Sequence, residues 1–150
     1  MNSEIFTNFP EYKTSRLILR KLSLEDTQLM YQFNSDPDCL RFIARSPYTH
    51  ISQAEGRVIE FTDAFEQHKA LWWTVILKET LIPIGYCGLF EIDKSVPKAE
   101  VGYGFLKKYW GCAIRASYAS IPYPDQMYQT VPWVRDFVKH RIFCDVFPPP

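Results

Sequence analysis

Apolar residues change their spacing several times along this chain, and each change marks a predicted element. Arg16-Leu-Ile-Leu-Arg-Lys-Leu22 alternates apolar and basic positions, the period-two signature of a strand. Ser23 stands as an N-cap for a helix over Leu24–Asn34. Glu25 and Asp26 fall in its first turn, where the helix dipole favours acids. Ser35-Asp36-Pro37-Asp38 stops it. A second amphipathic helix is predicted over Ser52–His68, because Val58, Ile59, Phe61, Thr62 and Phe65 recur at near-helical spacing, although Gly56 weakens it. Three strands follow, over Leu71–Leu77, Pro83–Ile92 and Ala99–Leu106. Their connections, Lys78–Ile82 and Asp93–Lys98, are too short for parallel crossovers and predict antiparallel hairpins. Residues Met1–Thr14 read as irregular.

Beyond Gly111 the pattern loosens. Ala113–Ser120 has room for two helical turns, which Ile121-Pro-Tyr-Pro124 breaks. A short helix is predicted from Thr130-Val-Pro132 to His140, then a last strand over Arg141–Phe147. A strand, two helices and a three-strand meander argue for an α+β, or α/β, sandwich.

Composition narrows the function classes. A chain of 150 residues is read as one domain. Seventeen basic and seventeen acidic residues cancel, which removes the electrostatic case for nucleic acid or an anionic membrane as partner. No apolar run reaches the ~18 residues of a membrane span. The opening Met-Asn-Ser-Glu-Ile-Phe lacks a basic n-region before an apolar stretch, so a cytoplasmic location is expected. Cys39, Cys87, Cys112 and Cys144 are scattered without a Cys-x-x-Cys pair, and His50, His68 and His140 have no ligand spacing, so no metal is expected. Cys87 and Cys144 read as buried small hydrophobes. Cys112 has no histidine beside it in sequence to make it a nucleophile.

The segment most informative about chemistry is Ala99-Glu-Val-Gly-Tyr-Gly-Phe-Leu-Lys-Lys-Tyr-Trp-Gly111. It reads as a strand, a tight turn and a helix start, an arrangement that aims backbone N–H groups at an anion such as a pyrophosphate. Alternation along the strand puts Glu100 on one face with Gly102 and Gly104, and Val101, Tyr103 and Phe105 on the other. Two glycines beside a carboxylate are expected to leave an open acceptor space over the sheet. Glu100 is then the candidate general base for a reacting amine, directly or through water. Trp72, Trp73 and Tyr86 are either lining for such a space or ordinary core.

This segment, with Thr14-Ser-Arg-Leu-Ile-Leu-Arg20, Pro83-Ile-Gly-Tyr-Cys-Gly-Leu89 and Arg141-Ile-Phe-Cys-Asp-Val146, resembles the GNAT acyl-CoA N-acetyltransferases, in particular the ribosomal-protein-alanine acetyltransferase-like branch. The resemblance covers about three-quarters of the chain. It implies a mostly antiparallel sheet flanked by helices and acetyl-CoA as cosubstrate. It further implies transfer to a primary amine, on a protein N-terminus or a small molecule. Pantetheine would pair with backbone at Phe105 and Leu106, and the pyrophosphate would rest on N–H groups of Gly111, Cys112, Ala113, Ile114 and Arg115. Lys107 and Lys108 would help with phosphate charge, and an N–H near Leu106 would stabilise the oxyanion. The resemblance also points to the strand of Glu100 for the base.

Two departures accompany it. Trp110-Gly-Cys-Ala-Ile-Arg115 carries Ala113 and Arg115 where the family has small residues. Arg115 either blocks close approach of phosphates or binds them as a fork. The chain also ends before the helix and two strands that follow in the family, so it is read as a domain incomplete at its C-terminus. Besides an enzyme, the sequence therefore allows a non-catalytic remnant of the fold. It also allows an interaction module that pairs or self-associates through an open edge at Arg141–Phe147.

Overall fold

The structure, a computed structural model, describes residues 4–110 apart from 42, 94, 96 and 97. Its elements in chain order are α1 (Glu4–Thr7), β1 (Tyr12–Lys13), β2 (Leu17–Lys21), a 3-10 turn (Leu24–Asp26), α2 (Thr27–Ser35) and α3 (Ile51–Glu66). Then come β3 (Leu71–Leu77), β4 (Ile82–Asp93), β5 (Lys98–Phe105) and a second 3-10 turn (Lys107–Tyr109). The five strands form one sheet in the order β1-β2-β3-β4-β5, every pairing antiparallel. The α+β reading and the hairpin meander are borne out.

Alternation divides the sheet into two faces. Leu17, Leu19, Leu71, Trp73, Val75, Cys87, Leu89, Tyr103 and Phe105 build a core on one side, with Ile5 and Phe65. Met30, Phe33, Ala54, Val58 and Phe61 bring α2 and α3 onto the other side, over Tyr86 and Leu22. Ile84 and Cys87 are three residues apart yet share a core. Pairing slips there from Val75↔Gly85 to Ile76↔Pro83, so Ile84 is the extra residue of a β-bulge. Pro83, which has no N–H, sits beside that irregularity.

A buried polar knot ties β2 to the start of α2. Asp26 is 1% exposed, and its carboxylate accepts both Arg20 guanidinium nitrogens at 2.8 Å. It also accepts the Thr74 hydroxyl at 2.8 Å and the Ser23 N–H at 3.0 Å. Asp26 thus serves this network rather than only the helix dipole.

The segment read as irregular before residue 15 is a correction. It holds a helical turn, and Tyr12 and Lys13 pair with Leu19 and Ile18. Its cause is tertiary: the Trp73 indole donates to the Pro10 carbonyl at 2.7 Å, and Phe9 and Tyr12 pack on the Trp73 ring. No helix among the described residues is long and apolar enough to cross a membrane.

Candidate active site

The end of β5 is shaped by its hydrogen-bond register. The Leu106 N–H donates to the Ile84 carbonyl at 2.9 Å, which makes the facing pair Gly85–Phe105 the non-bonded kind. The peptide groups of Phe105 consequently point away from β4. The Phe105 carbonyl accepts the Trp110 indole N–H at 2.8 Å and the Cys39 thiol at 3.8 Å. Burial first, and then the charge of Asp36, pushes the Cys39 thiol up to about 11, so it stays protonated and acts as a donor. The Leu106 N–H expected to serve an oxyanion is instead engaged within the sheet.

A groove of about 570 Å³ opens at this strand end, lined by Gln32, Asp36, Leu106, Lys107 and Lys108. Lys107 forms an ion pair with Asp38. The pair holds the Asp38 carboxyl below its ordinary value and raises the Lys107 ammonium. Of the two lysines expected to face phosphate, Lys107 already has a carboxylate partner, and Lys108 lies over the Tyr109 ring at 4.8 Å.

The predicted open space over the glycines is not there, which corrects the sequence reading. A Cβ on Gly104 would lie 2.6 Å from Phe33 Cζ and 3.1 Å from Tyr86 Cε1. A Cβ on Gly102 would lie 2.9 Å from Phe90 Cε1, and one on Gly88 2.3 Å from Trp72 Cε3. Aromatic rings fill the space the missing side chains leave. Phe61 stacks on Trp72 at 4.1 Å, and Trp72 on Phe90 at 5.6 Å, all nearly parallel. Trp72 and Tyr86 therefore line this face, while Trp73 belongs to the opposite core. Glu100 is half-buried opposite Phe90 in the pairing, about 17 Å along the strand from Phe105 at the usual rise per residue.

Sequence reasoning passed over the polar surroundings of Tyr86. Its ring meets Phe33 edge-on at 5.2 Å, and no hydrogen bond to its hydroxyl forms among the described residues. Burial pushes that hydroxyl up to about 12, and the nearby guanidinium groups of Arg45 and Arg57 partly oppose the shift. Buried Asn34, in the last turn of α2, organises this side. Its Oδ1 accepts from Arg45 at 2.7 Å, and its backbone carbonyl accepts the Tyr48 N–H at 2.8 Å. Arg45 and Tyr48 lie in the aperiodic connection before α3, so no periodicity marked them. The expected phosphate-site positions Gly111, Cys112, Ala113, Ile114 and Arg115 lie outside the described residues, as does the edge at Arg141–Phe147.

The family model for the acetyltransferase (GNAT) domain matches residues 16–131. The chain belongs to the GNAT acetyltransferase family. It is 37% identical over 98 residues to the uncharacterized N-acetyltransferase p20 of Bacillus licheniformis, covering 65% of this chain and 55% of that protein. RimL, a ribosomal L7/L12 alpha-N-protein acetyltransferase solved in complex with coenzyme A, superposes with a TM-score of 0.68 at 14% identity. That match covers 83% of this chain and 71% of RimL. The spermidine N-acetyltransferase of Vibrio cholerae, solved with CoA and spermine, gives a TM-score of 0.59 at 18% identity, over 71% of this chain and 60% of that one. At these identities the two structures share the fold. The GNAT chain spans little more than half the length of the curated relatives it matches, 55% of one and 58% of another.

Proposed function

We propose that this GNAT domain binds acetyl-CoA at the outer end of β5 and transfers the acetyl group to a primary amine. The observation that carries the reading is the register at Phe105, whose peptide groups face away from β4 next to the groove at Leu106–Lys108. An extended amide chain can run along such an edge. It reaches the Phe105 carbonyl by displacing the Trp110 indole that now occupies it. Acetyl-CoA supplies the activated acyl group; the protein's part is to hold the amine in line with it and dispose of a proton.

Glu100 is the proposed base. It stands about 17 Å along β5 from Phe105, so the role requires the acyl chain to run from Phe105 along β5 until the acetyl group and its amine lie within one water of the Glu100 carboxylate. The exposed Asp38–Lys107 pair links the turn after β5 to the loop after α2 at the rim of the groove.

Thermal denaturation with millimolar acetyl-CoA tests the binding step. A ligand at a hundred times its Kd adds about 2.7 kcal/mol and raises Tm. A folded sample whose Tm does not move refutes the site. Coenzyme A release in the presence of an amine tests transfer. Glu100→Gln is expected to abolish release while keeping the thermal shift. Undiminished release removes Glu100 as base, and binding without release by the unmodified chain supports the non-catalytic alternative.

A further inference from the structure

The polar cluster over Tyr86 is not used by the mechanism above. Arg57 lies on α3 with its guanidinium carbon 4.6 Å from the Phe61 ring centroid, and it bonds Glu60 at 2.7 Å. Its Nε is buried and has no hydrogen-bond partner. A buried donor without an acceptor is unfavourable, and a ligand oxygen relieves it. Arg45 meets only the neutral Asn34 oxygen, and no carboxylate pairs with it among the described residues. A guanidinium carries five donors, so most of those on Arg45 remain for something else. The Tyr86 ring neighbours both sides, its centroid 6.2 Å from the Phe61 ring that carries Arg57 and 5.2 Å from Phe33, which stands beside the Asn34 that holds Arg45. The two guanidinium groups and the Tyr86 hydroxyl thus belong to one side of the sheet, where the Phe33 and Tyr86 rings cover Gly104, the residue just before Phe105.

Building on the acetyl-transfer reading, we infer that Arg45, Arg57 and Tyr86 select amine acceptors that carry an anionic oxygen group, a carboxylate or a phosphate. Arg57 already has the Glu60 carboxylate, so Arg45 supplies the uncompensated charge, which disfavours a cationic polyamine. The Phe61–Trp72 stack beneath Arg57, and Asn34 beneath Arg45, hold the two guanidinium groups in place, so a ligand oxygen meets donors that are already oriented.

The test compares matched acceptors with the full chain and acetyl-CoA. Ethanolamine is set against phosphoethanolamine, and alanyl-glutamine amide against alanyl-glutamate amide; spermidine is the cationic control. Preference in the first pair only identifies phosphate, and in the second only carboxylate. The anionic member is expected to have a kcat/KM about tenfold higher, the effect of one charge-assisted hydrogen bond. Arg45→Gln and Arg57→Gln should bring the ratio towards one, and Arg45→Lys should retain part of it. Equal ratios in the unmodified chain, or a preference for spermidine, overturn the inference. Where no amine turns over, N-acetylaspartate and N-acetylasparagine are titrated by NMR. Tighter binding of the former, lost in Arg45→Gln, supports the inference, and equal binding overturns it. The acetyl-CoA thermal shift separates the two ideas: no shift sinks the acetyltransferase reading, whereas a shift without charge preference sinks only the anionic acceptor.

Discussion

Replacing glycines one at a time by alanine is expected to give effects of opposite sign, set by what each new methyl meets. None of the four positions considered has a left-handed backbone, so space decides the outcome. At Gly104 the methyl would sit 2.6 and 2.7 Å from two carbons of the Phe33 ring and 3.1 Å from Tyr86. Carbon atoms prefer separations of about 3.5–4.0 Å, so the ring must retreat by roughly 1 Å. Phe33 is 1% exposed and wedged against Tyr86, which leaves it little room. Overpacking of this kind costs about 1–3 kcal/mol. At Gly102 the contact is one edge carbon of half-buried Phe90 at 2.9 Å, and a small swing relieves it for under about 1 kcal/mol. At Gly88 the methyl meets Trp72 at 2.3 Å and the Leu71 backbone oxygen at 2.6 Å, and backbone cannot swing aside. That variant should be the least stable. Gly56 lies inside α3 with nothing within 4 Å, so alanine there should stabilise by about 0.5–1 kcal/mol through helix propensity.

Urea denaturation of the four variants reads the series directly, the midpoint moving with stability at constant slope. Thermal midpoints should move about 2–4 °C per kcal/mol for a chain of this size. Adding Phe33→Leu to Gly104→Ala should recover part of the loss, with a coupling of about 1 kcal/mol in the double-mutant cycle. A Gly104→Ala protein as stable as the parent would refute the claim that rings, not acceptor space, occupy this face. A destabilised Gly56→Ala would refute the assignment of α3 through that residue.

Two further predictions concern buried polar groups. Asp26→Asn keeps the shape but removes the charge that Arg20 needs and puts amide protons towards other donors. With Arg20 27% exposed, the cost should be about 2–3 kcal/mol by denaturation, and Thr74→Val should cost only about 1 kcal/mol. The Tyr86 hydroxyl, raised from 10.0 to about 12 by burial, makes stability fall at high pH. Its contribution is complete below pH 10, where both folded and unfolded states hold the proton. It is lost as pH rises towards 12, because only the unfolded chain releases the proton in that window. The loss should be on the order of 2–3 kcal/mol. Tyr86→Phe should be near-neutral at pH 7 and lose less stability than the parent in strong alkali. A parent and variant with the same alkaline profile would refute the burial of the hydroxyl.

The elements that carry their own pattern were legible in the sequence. β3 spans Leu71–Leu77 as its unbroken β-branched and aromatic run predicts, and α3 differs from its periodic reading by one or two residues at each end. The short β1 was not legible, because two residues have no period and their pairing depends on Trp73, more than sixty positions away. At the site, alternation placed Glu100, Gly102 and Gly104 on one face, as the structure does. What occupies that face could not be read locally, because Phe33, Trp72 and Phe90 arrive from three other elements. Arg45 and Tyr48 were invisible for a related reason: they are positioned by hydrogen bonds to Asn34, and a hydrogen bond leaves no spacing signal.

The aromatic filling of the glycine stripe also moves the centre of the chemistry. With an empty stripe, an amine could approach Glu100 directly and the carboxylate would mark the acceptor site. With Phe90 and Trp72 over Gly102 and Gly88, the face beside Glu100 is walled, and the Tyr86 and Phe33 rings stand at Gly104, next to Phe105. Under the proposed function, an acyl chain held at Phe105 meets its amine on the side of Tyr86, Arg45 and Arg57, and Glu100 serves as base only where the acyl end comes within one water of its carboxylate. The proposal thus gives recognition and proton removal to different residues along one strand face. The rigid Phe61–Trp72–Phe90 stack between them keeps the two at a fixed spacing. Substitutions at the arginines should therefore act on acceptor choice, and substitution of Glu100 on the rate for every acceptor alike. This separation follows from where the rings sit, and it would not hold if the glycines marked an open pocket.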